Sequence, residues 1–195
     1  MTWALLRMGH TTAGAEVEGR STAPSSVDRP KLIQGVWVRS GGVVVEAAFA
    51  NTLGLHVGDR LSLAGSSFEV TGTAVTAAIP DYPDACFRLG CFLAGTVSSY
   101  NPGLVWATEA DAGHIAHAPT STPLAYFLNL KLNDPAAASA FADRYNANGQ
   151  RGDDGVVLVK FVNTNRVQTK AADLVRCLVI CVTPSGRSHF RTSGK

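Results

Sequence analysis

The sequence predicts an α+β protein, with a β-rich lobe built of hairpins and a small mixed α/β lobe of β-α-β-α-β order. Three observations predict this class. Three valines at 43–45 lead into a helical spacing and then into residues that alternate between apolar and polar. Farther along, strand patterns alternate with helix-start signals. Hydrophobic residues make up 46% of the 195 positions, enough to build a core.

Composition and punctuation divide the chain into five segments. They are an extended leading segment (1–31), the β-rich lobe (32–80), a long loop with cysteines (81–103), the α/β lobe (104–165) and an irregular C-terminal tail (166–195). The leading segment is rich in Gly, Ser, Thr and Ala, so we expect order to begin near Leu32. Loops as long as 81–103 are usually functional or tethered.

The β-rich lobe begins with two predicted strands, Val36–Arg39 and Val43–Glu46, because β-branched residues favour extended backbone. Phe49 and Leu53 then fall four apart on one face of a short helix, and both are predicted to be core. Gly54 can take the left-handed conformation that ends a helix.

A hairpin is predicted next, over residues 60–71. Leu61, Leu63, Phe68 and Val70 alternate with polar residues on either side of a Gly-Ser turn. One more strand is expected before Pro80.

The α/β lobe begins with a strand at Leu104–Ala107. Thr108 and Asp111 form a plausible capping pair for a helix reaching about His117. Residues 126–132 alternate as a strand does.

A second helix is predicted after Asp134-Pro135, where a good N-cap precedes proline at the first helical position. A buried strand is expected at 156–162. The apolar stripe of the helix is Ala138, Phe141, Ala142 and Tyr145.

The four cysteines leave three interpretations open. Cys86 and Cys91 are close enough for a disulfide, which would make sense in an oxidising compartment. A zinc site would need to combine them with Cys177 and Cys181 at unusual spacing. Buried free thiols are the third interpretation.

No catalytic residue, cofactor site or metal site is predicted. His114 and His117 are three apart, but no acidic residue completes a known zinc pattern around them. His56 lies beside a turn, where a structural role is expected, and the chain has no Gly-x-Ser-x-Gly motif. An acid-base enzyme using His56 or His114 with a carboxylate is our least favoured hypothesis.

Charge and hydropathy limit the partners and the location. Charged residues are only 16% of the chain, and the net charge of +2 forms no basic stripe, so nucleic acid is not an expected partner. Residues 89–108 carry no charge, but a polar Pro-Gly turn argues against a membrane span. Leu174–Val182 is too short to span. The first residues lack the features of a signal peptide.

Several segments carry a resemblance to a known family. They are AEVEGRSTAPSSVDRP, GVWVRSGGVVVEAAFANTLGLHVGDRLSLAGSSFEVTGTAVTAA, YPDAC, GLVWATEADA and YFLNLKLNDPAAASAFA. Together they resemble the extracellular domain of FtsX-type ABC transporter permeases, the family with the MacB-like periplasmic core, in its actinobacterial form. The most specific part runs from Phe49-Ala50 through Leu53-Gly54 and Val57-Gly58-Asp59-Arg60 to Phe68-x-Val70-x-Gly72.

The resemblance implies a non-catalytic domain at the extracellular face of the cell membrane. Such a domain relays cytoplasmic ATP hydrolysis to export or to an extracytoplasmic task. An ABC ATPase subunit, coupled through membrane helices, and an extracellular lipid, peptide or protein are the implied partners. Those helices are not found in this sequence, so a truncated fragment is expected. The alternative hypothesis is a free-standing soluble module that binds a small molecule or peptide, at a site formed by the hairpins and the loop 81–103.

Overall fold

The computed structural model describes most of the first 141 residues and two later strands. The described residues are 1–23, 25, 27–76, 81–83, 102–126, 128–130, 132–137, 140–141, 144, 157–163 and 175–181, with the side chains of 128–130, 135, 157–163 and 175–181 left aside. The strands are β1 (Thr2–Met8), β2 (Thr11–Arg20), β3 (Lys31–Gly35), β4 (Gly42–Glu46), β5 (Arg60–Leu63), β6 (Ser66–Val75), β7 (Gly103–Thr108), β8 (Leu128–Leu130), β9 (Val157–Asn163) and β10 (Val175–Cys181). Two helices are described over their full length, α1 (Ala47–Leu53) and α2 (Glu109–Ala116); residues 140, 141 and 144 are also helical, and Pro135–Ala137 form a 3₁₀ turn.

Six strands close into a barrel. Their order is β6-β4-β7-β2-β1-β5, and β5 also pairs with the first half of β6, which closes the ring. The second half of β6 pairs with β3, which lies outside the ring. Most pairs are antiparallel, but β2 with β7 and β4 with β6 are parallel, so the sheet is mixed. The α+β class predicted from the sequence is consistent with this arrangement.

The prediction that residues 1–31 form an extended leading segment is wrong. β1 and β2 occupy most of it, and β2 lies in the ring between β1 and β7. Residues 15–18 of β2 are all buried, although two of them are glutamates. A charged residue normally indicates exposure, and that rule hid a strand whose glutamates are buried.

The predicted boundary between two lobes at residue 103 is also not confirmed. β7 follows that boundary in sequence, yet it pairs with β2 and β4 in the first sheet. The α2 helix packs against β1, β2 and β7. A three-stranded antiparallel sheet of order β8-β10-β9 is separate from the barrel.

β4 and β7 bury both of their faces, which explains their nearly unbroken apolar sequences. Val43 and Val45 belong to the larger core cluster together with Phe49. Val44 points the other way and packs with Leu104 and Trp106. We call this second group the outer cluster; it comprises Met1, Val38, Val44, Ala74, Leu104 and Trp106, with Leu32 and Trp37 packed against it.

The predicted helix after β4 is confirmed, with one change in its core residues. Phe49 is fully buried, but Leu53 is only partly buried, and Leu55 beyond the helix is 5% exposed. The Glu46 carboxylate accepts hydrogen bonds from the amides of Ala48 and Phe49, both at 2.9 Å, and so caps the first turn. The hairpin follows as predicted.

The strand predicted at Val36–Arg39 is misplaced. β3 ends at Gly35, whose φ of 79° turns the chain out of the extended conformation. Val38 then turns inward and is 3% exposed, while the backbone of Arg39 forms an isolated β-bridge with Gly42 and belongs to no strand. The strand expected before Pro80 is part of β6, which continues without a break to Val75.

Farther along the chain the outcome is mixed. The strands predicted at Leu104–Ala107, 126–132 and 156–162 are present as β7, the shorter β8 and β9, and α2 begins at the predicted Thr108 cap. Phe141 is helical, but the other three residues of its predicted stripe lie outside the described residues. The prediction of an irregular C-terminal tail is wrong for Val175–Cys181, which form β10.

Gly103 at the start of β7 offers a test of the barrel core. A Cβ atom there would lie 2.0 to 2.2 Å from carbons of the buried Phe49 ring, so Gly103→Ala should lower the free energy of unfolding by about 1–3 kcal/mol. Denaturant titration measures this change. The control is Gly113→Ala in α2, where a Cβ meets nothing within 4 Å and stability should rise by up to about 1 kcal/mol. Equal effects of the two substitutions would contradict the packing described.

Candidate binding site

A buried ion cluster lies at the end of β2. Glu18 and Arg20 are two apart on this strand, so their side chains share one face. The Arg20 guanidinium contacts a Glu18 carboxylate oxygen at 3.1 Å and donates hydrogen bonds to the carboxylate and the backbone carbonyl of Asp28. The indole Nε1 of Trp106 donates to the second Glu18 oxygen at 3.1 Å.

The cluster places one guanidinium against two carboxylates, and all three side chains are largely buried. Only 13% of the Arg20 side chain is exposed, against 7% for Glu18 and 5% for Asp28. Burial opposes the positive charge, but the two carboxylates outweigh it, and the pKa of Arg20 is raised above its ordinary value. Removing one member would leave its partners charged and buried.

A cavity of about 340 Å³ opens beside this cluster, where the chain passes from β2 to β3. This volume lies at the lower end of the range for small-molecule sites. The cavity is lined by Arg20, Ser21, Ala23, Ser25, Asp28, Arg29, Pro30, Lys31, Leu32 and Trp37.

The wall of the cavity is tied to the barrel at two points. The Arg20–Asp28 ion pair joins the segment after β2 to the strand itself. The Trp37 indole donates to the backbone carbonyl of Ser21 at 3.1 Å, and its ring lies 6.1 Å from that of Trp106 in the outer cluster. These contacts fix the apolar side of the cavity before any ligand arrives.

Some of the charged side chains that line the cavity are paired within the ion cluster, and others are not. Arg20 is paired inside the ion cluster. Arg29 and Lys31 are both exposed, and among the described residues neither has an ion pair. The net formal charge of the lining is therefore positive, and the two exposed cations carry it.

Two exposed apolar side chains, one in β3 and one just after it, lie close to the cavity in sequence. Ile33 and Val36 are 59% and 60% exposed. Ile33 lies at a register shift in the pairing of β3 with β6, which takes it out of the ladder. Along the other edge of β3, no described strand is paired.

The cysteines remain untested as a site. Cys86 and Cys91, the predicted disulfide, lie outside the described residues, as does most of the loop 81–103 that we expected to line a ligand site. Cys177 and Cys181 belong to β10, at positions paired with Phe161 and Val157. No group of three metal-ligating side chains occurs within the described ranges.

The predicted histidines are dispersed over two parts of the barrel. His56 is exposed beside a turn, and its amide donates to the Asp59 carboxylate at 2.8 Å. His114 and His117 lie exposed at the end of α2, where the Nδ1 of His117 bonds the Gly113 carbonyl oxygen at 2.7 Å.

The sequence does not predict the cavity, because most of its lining residues belong to the segment 1–31, which is predicted as an extended leading segment. One signal was available. Glu16, Glu18 and Arg20 alternate with small and apolar residues, which indicates a strand carrying charges on a single face. Burial of that face could not be predicted without knowing that Trp106 and Asp28 come to meet it.

Comparison with known proteins gives only distant similarity, to solved structures. No protein-family profile matches the chain, and no curated protein sequence matches it. Among solved structures, the chain is similar to the crystal structure of a domain of a proposed permease from Porphyromonas gingivalis, with 12% identity and a TM-score of 0.36 over 99% of this chain and 74% of that one. A likeness at this level is too weak to assign a family or a function.

Proposed function

We propose that the chain is a non-catalytic extracytoplasmic domain of an FtsX-type ABC transporter permease with the MacB-like periplasmic core. In this proposal it couples cytoplasmic ATP hydrolysis to export or to another extracytoplasmic task. The observation that carries the proposal is the role of the residues through which the sequence resembles that family. They form one continuous structural unit, running from α1 through β5 to β6.

Four of the signature residues have clear structural tasks in this unit. Phe49 fills the core, and Gly54 takes a φ of 67° at the end of α1. Asp59 accepts the His56 amide in the turn before β5. At Gly72 in β6, a Cβ would lie 2.7 Å from the carbonyl oxygens of Gln34 and Val36. Only glycine therefore lets the two backbone segments approach so closely. Because these motif residues serve the fold, they support the proposed role of the domain as a scaffold that transmits contacts.

The proposal includes partners that follow from the resemblance. A permease domain of this kind is held by membrane helices, which connect it to an ABC ATPase subunit, and it contacts a lipid, peptide or protein outside the cell. Among the described residues, no helix has the length and apolar character that crossing a bilayer demands.

A free-standing binding module is the second candidate function. The cavity beside β3 favours it, because a tied, partly apolar wall and two exposed cations are what a small ligand needs. The two candidates differ in whether the chain is held at a membrane.

Labelling of intact cells tests the permease proposal. The exposed Thr12 is changed to cysteine in the cells that produce the chain, and a membrane-impermeant maleimide is applied before and after lysis. We expect Thr12→Cys to be labelled in intact cells more strongly than the unsubstituted chain, and the labelled protein to sediment with membranes. Labelling only after lysis would contradict the proposal, and labelled protein in the soluble fraction would favour the binding module.

A further inference from the structure

We propose that the cavity between β2 and β3 binds a small organic anion, with the acidic group of the ligand at Arg29 and Lys31 and its apolar body against Trp37 and Leu32. This inference is independent of whether the chain belongs to a permease. It rests on the chemistry of the lining and on the fixed position of its walls.

Two of the three cations that line the cavity can bind a ligand. Arg20 lines the cavity, but both of its terminal nitrogens already contact Asp28 or Glu18, and its Nε, which has no hydrogen-bond partner within the described part of the chain, is buried. Arg29 and Lys31 flank Pro30 in sequence, are exposed, and have no ion pair among the described residues. An arginine and a lysine together can bind one carboxylate, the former through two parallel hydrogen bonds and the latter as a point charge.

The cavity also offers an apolar surface to the rest of the ligand. Trp37, Leu32, Pro30 and Ala23 give the lining an apolar part. The Trp37 ring is held by its hydrogen bond to Ser21 and by the Trp106 ring behind it, so little ordering remains for the ligand to induce. A ligand without an apolar body would leave this surface in contact with water.

The serine hydroxyls of the lining form hydrogen bonds within their own loop. The Ser25 hydroxyl donates to the Val27 carbonyl at 2.7 Å and accepts from the Val27 amide at 3.1 Å, so it serves the turn. The Ser21 hydroxyl accepts the Ala23 amide at 3.2 Å. Because both hydroxyls take part in local hydrogen bonds, the exposed cations are left as the principal selective groups. The site should discriminate by charge and by apolar volume.

A titration of the isotope-labelled full chain, followed by NMR, tests the proposal. The probes are hexanoate, 3-phenylpropanoate and indole-3-acetate, each compared with its neutral amide of nearly equal volume. We expect at least one carboxylate to shift the signals of Lys31, Leu32 and the Trp37 indole NH saturably, with its amide binding at least about tenfold more weakly.

Charge-removing variants make the test specific. Arg29→Gln and Lys31→Gln should each weaken carboxylate binding about fivefold, and the double variant roughly twentyfold, because each removes one exposed charge contact. Arg7→Gln in β1 is the matched control; it removes an exposed charge that does not line the cavity, and binding should be unchanged.

Three results would overturn the proposal. In the first, no carboxylate shifts a lining residue at millimolar concentration. In the second, the amides bind as well as the acids, which would make the cavity an apolar site without charge selection. In the third, the double variant binds the carboxylate as tightly as the unsubstituted chain does, while the NMR spectrum of its backbone shows the same fold.

Discussion

Replacing Arg20 by methionine is expected to lower the free energy of unfolding by about 3–5 kcal/mol, because the change leaves Glu18 and Asp28 charged and buried without their shared cation. Methionine fills most of the volume, so lost packing contributes little. Chemical denaturation at neutral pH measures the effect.

Two controls separate this charge effect from a general sensitivity to the loss of arginine. Arg39 pairs with Glu69 at 2.8 Å, but both side chains are substantially exposed, so Arg39→Met should cost no more than about 1 kcal/mol. Adding Glu18→Gln to Arg20→Met should restore part of the lost stability, since one buried charge is removed. A cost for Arg20→Met no larger than that for Arg39→Met would contradict the buried cluster.

Truncation of Phe49 to alanine is expected to cost about 3–5 kcal/mol. The ring is fully buried, lies 4.9 Å from the Tyr82 ring, and occupies the space that Gly103 leaves open. Its removal therefore creates a cavity where α1 meets β7. The midpoint and slope of a denaturant transition, followed by circular dichroism, give the change.

The control for this prediction is Leu53→Ala in the same helix. Leu53 packs against the same cluster but is only partly buried, so its truncation should cost less than about 2 kcal/mol. A larger loss at Leu53 than at Phe49 would show that the face of α1 assigned to the core is wrong.

Local patterns predicted the elements far better than the way they assemble. Val43 predicts β4 by its branched side chain, Phe49 predicts α1 by its helical spacing, and Gly54 predicts the end of α1 by its left-handed backbone. All three are properties of short segments. The hairpin of β5 and β6 followed from the alternation of its residues. These are the parts in which the local preference and the final fold agree.

The closed barrel could not be predicted in this way. Its closure depends on β5 reaching β1 across more than fifty residues of sequence, and on Glu16 and Glu18 being buried against the usual preference of carboxylates for water. β10 was missed because its apolar sequence, interrupted by Arg176, fitted neither a membrane span nor an amphipathic strand.

The candidate site was less predictable still. Histidine and cysteine pairs are visible in a sequence because their spacing is local. The cavity instead joins the end of β2 to Trp37 through contacts that depend on the burial of Trp106. No pattern in the sequence distinguishes its exposed cations, Arg29 and Lys31, from other surface charges, and only the fold places an apolar wall beside them.

The central claim of a membrane-coupled domain is tested most directly by sequencing the DNA on both sides of this reading frame and translating it in all frames. The measurement looks for apolar stretches of about 20 residues, the length that spans a bilayer as a helix. We predict one such stretch before the frame and several after it. Their absence from both sides would contradict the permease proposal and leave the free-standing binding module.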